Sequence, residues 1–410
     1  MDAHLDHTKV ISTSKHPIYR VCLTGGPCAG KTTALATLTD HLSLKGFKVL
    51  LVPEAATMMM KGGCFIQTHK MSLMDQVRFQ IQIMKSQMCL EDIFLETALD
   101  NDQATVILCD RGVMDGQAYA TQEVWQALLD ETHWSTIQLR DRRYEAVIHM
   151  VSAADGAPQF YTDVNNEARY ETLEEAVDLD KRLINAWVGH PQFTIVDNNE
   201  SKGFAGKIER CVDSVFKTIG LPTPQTHHKK FLLVTLPGMF DINTPNTIKK
   251  EVFQSEETFL QATKDDTEAF IRKMGKNDSY IYTHEIRQYQ NQERIQKKRQ
   301  LTAREYIEML EQSARGFVKI KKFRQCFTYD GQYFMVETLL NVDQQPSLLR
   351  IETSKTQSDL AIPNFVKVLR EVTSDDRYAA GTISKIGWKM PEEDKQAILK
   401  KVQHQVNSAQ

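Results

Sequence analysis

Residues Gly25-Gly26-Pro27-Cys28-Ala29-Gly30-Lys31-Thr32 fit the pattern G-x-x-x-x-G-K-[ST]. Such a run is useful only between a buried strand and a helix, so it constrains the fold as well as the chemistry. The preceding Tyr19-Arg20-Val21-Cys22-Leu23-Thr24 reads as a short buried strand. Residues 33–44 carry Leu35, Leu38 and Leu42 at helical spacing. In that setting the glycines let backbone N–H groups converge on phosphate oxygens, and the new helix directs its positive end to the same point. Gly25, Gly26, Pro27, Cys28, Ala29, Gly30, Lys31, Thr32 and Thr33 are therefore the expected nucleotide-binding stretch. Lys31 is expected to reach the outer phosphates and Thr32 to offer its hydroxyl to Mg²⁺.

The rest of the first half alternates strands and helices. Residues 46–53 form a second apolar run, and 104–110 a continuous one ending in Asp110. Residues 144–151 and 193–197 follow the same pattern, with helical periodicity over 71–99 and 203–219. This βαβ series predicts an α/β domain, a parallel sheet with helices on both faces. After Leu221-Pro222-Thr223-Pro224 the pattern changes to alternating strands, with helical patches expected at 256–274, 303–314 and 363–372. Tyr329-Asp330-Gly331-Gln332 reads as a hairpin turn. An α+β domain with a mostly antiparallel sheet is expected there, giving boundaries at 1–222 and 223–410.

The chain of 410 residues has a net charge of −3. Residues 226–410 hold 29 Lys and Arg against 24 Asp and Glu, whereas residues 1–225 hold 21 against 29. The second half is thus the candidate for an anionic ligand. Seven cysteines, an odd number with no C-x-x-C pair, argue against a disulfide framework or a zinc site and for a reducing, cytoplasmic setting. No signal peptide, lipidation motif or membrane-spanning run is read, so any membrane contact is expected to be peripheral. No feature points to nucleic acid as a partner.

Asp110 fits the acidic position that holds the Mg²⁺ shell beside such a loop, with a helix cap as its simpler alternative. Arg111 follows and is expected to meet phosphates or a phosphoryl acceptor. Glu54, after the second strand, reads either as an exposed loop carboxylate or as a group that orients an acceptor hydroxyl. Arg140, Arg142 and Arg143 read as a solvated face. Arg169, before a helical stretch, falls where a lid arginine would clamp transferred phosphate. Asp197-Asn198-Asn199, with Lys202 nearby, could border the base.

Residues 25–33, Val52-Pro53-Glu54-Ala55-Ala56, Cys109-Asp110-Arg111 and the stretch 169–199 together resemble the P-loop domain of NadR-type ribosylnicotinamide kinases. They resemble still more the TRPL translocation defect protein family, which joins such a domain to a C-terminal CYTH-like one. The resemblance implies GTP as ligand, with ATP as the alternative, phosphoinositide binding, and a role in membrane-protein trafficking, peripheral on endomembranes. A nucleoside or riboside kinase using Asp110, Glu54 and Arg169 is the competing reading, and a slow GTPase activity is compatible with the first. Guanine choice rests on the resemblance, since the lone N/T-K-x-D-like match, Thr263-Lys264-Asp265-Asp266, lies in the second half.

Lys230-Phe231-Leu232-Leu233, Tyr282-Thr283-His284-Glu285-Ile286-Arg287, residues 318–324 and residues 371–378 resemble the strands and closing segment of the CYTH tunnel, a fold of triphosphatases and cyclases. Alternation places Lys319 and Lys321 on one face, expected to line the tunnel with Lys230, Arg287, Arg324 and Arg350. Such a wall would favour a polyphosphate or a phosphoinositide headgroup. The paired glutamates that open that family's first strand are absent, since Thr226 and His228 stand there before Lys230. Glu337 and Glu352 remain as possible ligands for one metal, which makes a CYTH-type triphosphatase the second alternative.

Overall fold

A computed structural model describes residues 14–64, 70–161, 172–198, 203–221, 227–261, 267–276, 279–290, 293–330, 332–353 and 360–408. The side chains of 227–228, 288–290, 293–298, 352–353 and 404–408 are not described. The chain separates into two compact units, Met1–Ile219 and Gly220–Gln410.

The first unit is built on five parallel strands: β1 (Ile18–Thr24), β2 (Lys48–Val52), β3 (Thr105–Asp110), β4 (Ala146–Met150) and β5 (Phe193–Val196), in the order β2-β3-β1-β4-β5. β3 and β4 are buried almost throughout, the reason they read as unbroken apolar runs. The longer helices are α1 (Lys31–Leu44), α2 (Ala55–Lys61), α3 (Leu73–Leu99), α4 (Gln122–Thr132), α5 (Leu173–Trp187) and α6 (Gly203–Thr218). Ser72 caps α3 by accepting from Asp75 N, and α5 opens on a Thr172–Glu175 capping box.

Arg140 and Arg143 do not form a solvated face. Both are buried. Arg140 pairs with Asp141 at 2.7 Å. Arg143 pairs with Glu91 at 2.7 Å and Asp92 at 2.9 Å. Glu91 also accepts from the Tyr144 hydroxyl at 2.8 Å and lies 4.0 Å from the fully buried Arg20 of β1. Three buried cationic or phenolic groups thus converge on one carboxylate of α3, an arrangement that ties that helix to the sheet.

Among its described residues the second unit holds nine antiparallel strands: β6 (His227–Leu233), β7 (Lys250–Phe259), β8 (Thr267–Lys276), β9 (Ser279–Gln290), β10 (Glu293–Leu301), β11 (Ile320–Tyr329), β12 (Gln332–Leu339), β13 (Ser347–Thr353) and β14 (Val368–Glu371). Their order is β10-β9-β8-β7-β11-β12-β13-β6-β14, with β10 and β14 at the two ends of the ladder. The longer helices beside them are α7 (Ala303–Leu310) and α8 (Glu392–Ser408), with a single helical turn at Ala380–Ile383. The expected helical patches at 256–274 and 363–372 are instead the β7/β8 pair and the edge strand β14. Their apolar residues fit a helical period over short windows, but Phe259 and Phe270 meet across a strand pair and pack ring on ring at 5.6 Å. One sheet face carries the apolar cluster of Phe231, Phe327, Phe334, Val336, Leu349 and Ile351. Alternation puts the neighbouring residues, many of them charged, on the other face.

Among the described residues no helix is long and apolar enough to cross a membrane. None of the seven cysteines, all among the described residues, forms a disulfide.

Candidate nucleotide and anion sites

The glycine loop leaves β1 with Gly25 at φ 145° and enters α1 from Gly30 at φ 90°. A side chain at Gly25 would sit 2.0 Å from the Met150 carbonyl oxygen, so glycine is required there. Among the described residues no side chain caps α1. Its first amides are therefore left for an anion, as at other helix N-termini facing phosphate. Lys31 folds back on the loop, donating to the carbonyls of Gly25 at 2.8 Å and Gly26 at 3.2 Å. Burial and then the nearby Arg111 lower its ammonium to about 8, against the pull of Asp110, Glu54 and Asp115.

Register puts Asp110 beside Leu23 at the loop's root. Its Oδ1 is buried, with no hydrogen-bond partner among the described residues. Burial raises its carboxyl, with Lys31 opposing and Glu54 adding to the rise. The Thr32 hydroxyl lies in an exposed residue one step past Lys31. An orphaned carboxylate oxygen and an open hydroxyl at one loop are a donor set that fits Mg²⁺.

Arg111 has φ 73° and donates its N–H to the Leu23 carbonyl at 2.9 Å. That turn throws its guanidinium toward Glu54, at 3.0 Å, and Asp115, at 3.4 Å. Glu54 is thus an ion-paired carboxylate at the sheet's carboxyl edge, with a hydrogen bond from Thr57 at 2.8 Å, rather than a free loop group. Asp115 accepts from Thr24 at 2.7 Å and from the Trp187 indole at 2.6 Å. Gly112 lies so close to Trp187 and Cys22 that a Cβ would fall 2.7 Å from each. Asp115 carries no periodic or motif signal beyond its place after Asp110-Arg111-Gly112, and sequence reasoning passed over it.

It also passed over Asp180 of α5, whose Oδ1 accepts from Gly26 N at 2.7 Å and Ser152 N at 3.2 Å and faces His149 at 3.2 Å. Ser152 in turn donates to the Pro27 carbonyl at 2.6 Å. The loop is therefore braced from β4 and α5. Cys28 sits in it at φ 53°. Arg169, Asn199 and Lys202 lie outside the described residues, as does the 263–266 match. Asp197 pairs with Arg210 at 2.9 Å, and Asn198 donates to the carbonyls of Ser152 and Asp155. Both side chains serve as internal braces.

In the second unit, the expected pairing of Lys319 and Lys321 with the cationic face is wrong by one residue. Lys321 is exposed, and Lys319 is part-exposed and meets Glu256 at 3.4 Å. Lys322 and Arg324 are the buried ones. Strand alternation allows only one of these sets inside, and Ile320, also buried, shares the face of Lys322. Lys322 meets Glu257 at 2.5 Å and Glu337 at 3.7 Å. Arg324 pairs with Glu337 across the strands, and Arg350 approaches Glu337 at 2.7 Å. Arg272 joins Glu257 at 2.8 Å to Glu285 at 2.5 Å. Arg287 lies 3.8 Å from Glu285 and 3.7 Å from Glu268, over the Phe270 ring at 4.3 Å.

Burial works to raise the Glu337 carboxyl, and Arg350, Lys322 and Arg324 outweigh it, holding it well below the usual range. Lys230 borders the same group, near Arg350 and Glu337. Its ammonium donates to the Tyr378 carbonyl at 2.8 Å, and burial followed by Arg350 lowers it to about 7. The Thr226 position and the side chains of His228 and Glu352 lie outside the described set.

Residues 20–202 match the sequence model of a family described as AAA domain. No curated protein sequence matches the chain. Among solved structures, the inorganic triphosphatase NE1496 is 18% identical over 40% of this chain and 95% of its own, with a TM-score of 0.29. Deoxyadenosine kinase from M. mycoides, solved with bound dATP, is 14% identical over 48% of this chain and 98% of its own, with a TM-score of 0.33. The parallel sheet, the uncapped glycine loop and the matched family model make the first unit a P-loop nucleotide-binding domain.

Proposed function

We propose that the chain is a Mg²⁺-dependent GTP-binding protein whose second unit grips a phosphoinositide headgroup, acting as a peripheral-membrane regulator of membrane-protein trafficking. The observation that carries the nucleotide half is the orphaned Oδ1 of Asp110 beside the uncapped start of α1 and Lys31. Mg²⁺, held by Thr32 and Asp110, would neutralise charge on the phosphates. Lys31 would exchange its two loop carbonyls for phosphate oxygens, and the loop amides would hold the rest of the tail.

For the second unit, six cations (Lys230, Arg272, Arg287, Lys322, Arg324, Arg350) share a charged region with Glu257, Glu268, Glu285 and Glu337. The cationic excess supports an anionic guest. The four carboxylates are engaged by arginine and lysine, which supports gripping over metal-assisted cleavage. GTP rather than ATP, the lipid source of the headgroup and the trafficking role come from the family resemblance. Flotation with phosphoinositide-containing vesicles tests the reading: the chain should rise with them, and R324A K230A double substitution should leave it behind. Failure of wild-type protein to float would overturn the lipid half.

A second reading has its own observation. Arg111 joins Glu54, at 3.0 Å, to Asp115, at 3.4 Å, at the sheet edge that faces a phosphoryl acceptor in kinases. Transfer of labelled γ-phosphate to a nucleoside or riboside, lost in Asp110→Asn, would favour a small-molecule kinase.

A further inference from the structure

We propose that Phe204 is the stacking seat for the base of the nucleotide whose phosphates the glycine loop holds, a reading that rests on that loop binding a nucleotide. Phe204 is the second residue of α6, and 49% of it is exposed. Its ring lies against the loop itself: a Cβ built on Gly30 would fall 2.6 and 2.8 Å from two ring atoms. Gly30 immediately precedes Lys31, so the ring borders the place where the triphosphate tail enters. Two ring atoms face Gly30, and about half of the residue is exposed.

The ring's position is set by buried chemistry. Lys207, one helical turn on, is buried and donates to the Val151 carbonyl at 2.6 Å and to Asn198 Oδ1 at 2.8 Å. Those bonds fasten the first turn of α6 to the ends of β4 and β5, the sheet edge where ligands collect in open α/β folds. Residues three apart share a helix face, so Phe204 is directed to the same edge. Asp197 and Asn198, the side chains expected to border the base, are turned inward as braces. An exposed phenyl face beside a phosphate loop offers a base what it lacks in water: a flat apolar surface that excludes solvent. Such stacking tolerates any base, so Phe204 separates nucleotides from bare triphosphate rather than GTP from ATP.

The test is competition at the nucleotide site, with fluorescent GTP as tracer and unlabelled GTP or inorganic triphosphate as competitor in Mg²⁺. Phe204→Ala should weaken GTP by about tenfold and leave inorganic triphosphate within about twofold, and Phe204→Tyr should restore GTP to within about twofold. Unchanged GTP affinity in Phe204→Ala would overturn the proposal, as would an equal loss for GTP and triphosphate, which would make the ring a support for the loop alone. Tracer binding that Lys31→Ala removes while Phe204→Ala does not would leave the loop reading standing and this one fallen. No Lys31-dependent tracer binding in the wild type would overturn both.

Discussion

The two units handle charge in opposite ways. In the glycine loop the groups suited to a ligand are held incompletely satisfied: among the described residues Asp110 Oδ1 has no hydrogen-bond partner, α1 has no side-chain cap, and Lys31 bonds to carbonyls of its own loop. In the second unit Glu337, Glu257 and Glu285 already neutralise much of the cationic wall. A site of the first kind gains its full electrostatic interaction when a ligand arrives. A site of the second kind must rearrange existing pairs, so it is stable when empty and gains less on filling.

The sharpest way to break that contrast is Glu337→Ala. It leaves Lys322, Arg324 and Arg350 without their shared carboxylate, and should destabilise the second unit by about 3–5 kcal/mol, measured by denaturant unfolding. Inorganic triphosphate should restore part of that loss, because it replaces the missing negative charge. No rescue would mean the face does not admit a polyanion.

Next in size is Lys31→Ala. Mg²⁺-nucleotide at about a hundred times its dissociation constant should stabilise the wild type by about 2.7 kcal/mol, and the variant should show none of it in a thermal shift.

Acidity separates the sites further. A lysine must be charged to hold phosphate, so anion binding at the second unit should weaken as pH passes through about 7, where Lys230 loses its proton. Nucleotide binding should weaken about one unit higher, through about 8, where Lys31 does. Calorimetry in buffers of different ionisation heat should show proton uptake on binding in each window. Stability runs the other way. Both ammonium groups sit below their unfolded value of 10.5. The folded state therefore holds fewer protons between those points, and the stability of each unit should rise with pH there.

The smallest expected effect is that of Lys319→Glu with Lys321→Glu. Both lysines face away from the charged interior, so affinity for a soluble inositol polyphosphate should change by less than about threefold, against a far larger loss for Arg324→Ala.

The parallel half of the fold was legible because βαβ units advertise themselves. Apolar runs such as Val106-Ile107-Leu108-Cys109 are buried on both faces, and a glycine motif sits where strand meets helix. The loop, Asp110, Arg111 and Glu54 follow from local pattern, and the fold brings them together. Asp115, Asp180 and Phe204 do not, because each matters through partners 91, 154 or about 170 residues away in sequence. In the second half, β7 and β8 carry polar residues on the interior face, so their alternation is charged rather than apolar and a helical period fitted as well. The same masking hid the register of β11. Lys319, Lys321, Lys322 and Arg324 are all basic, and only burial reveals which pair turns inward.

The central claim is that the loop around Lys31 and Asp110 takes a Mg²⁺-bound triphosphate tail. Isothermal titration of GTP and ATP into the full chain, with and without Mg²⁺ and repeated on Lys31→Ala, measures it directly. The account predicts one nucleotide per chain, Mg²⁺-dependent, and lost in the variant. Nucleotide binding that persists unchanged in Lys31→Ala, or no binding by the wild type in Mg²⁺, would contradict it.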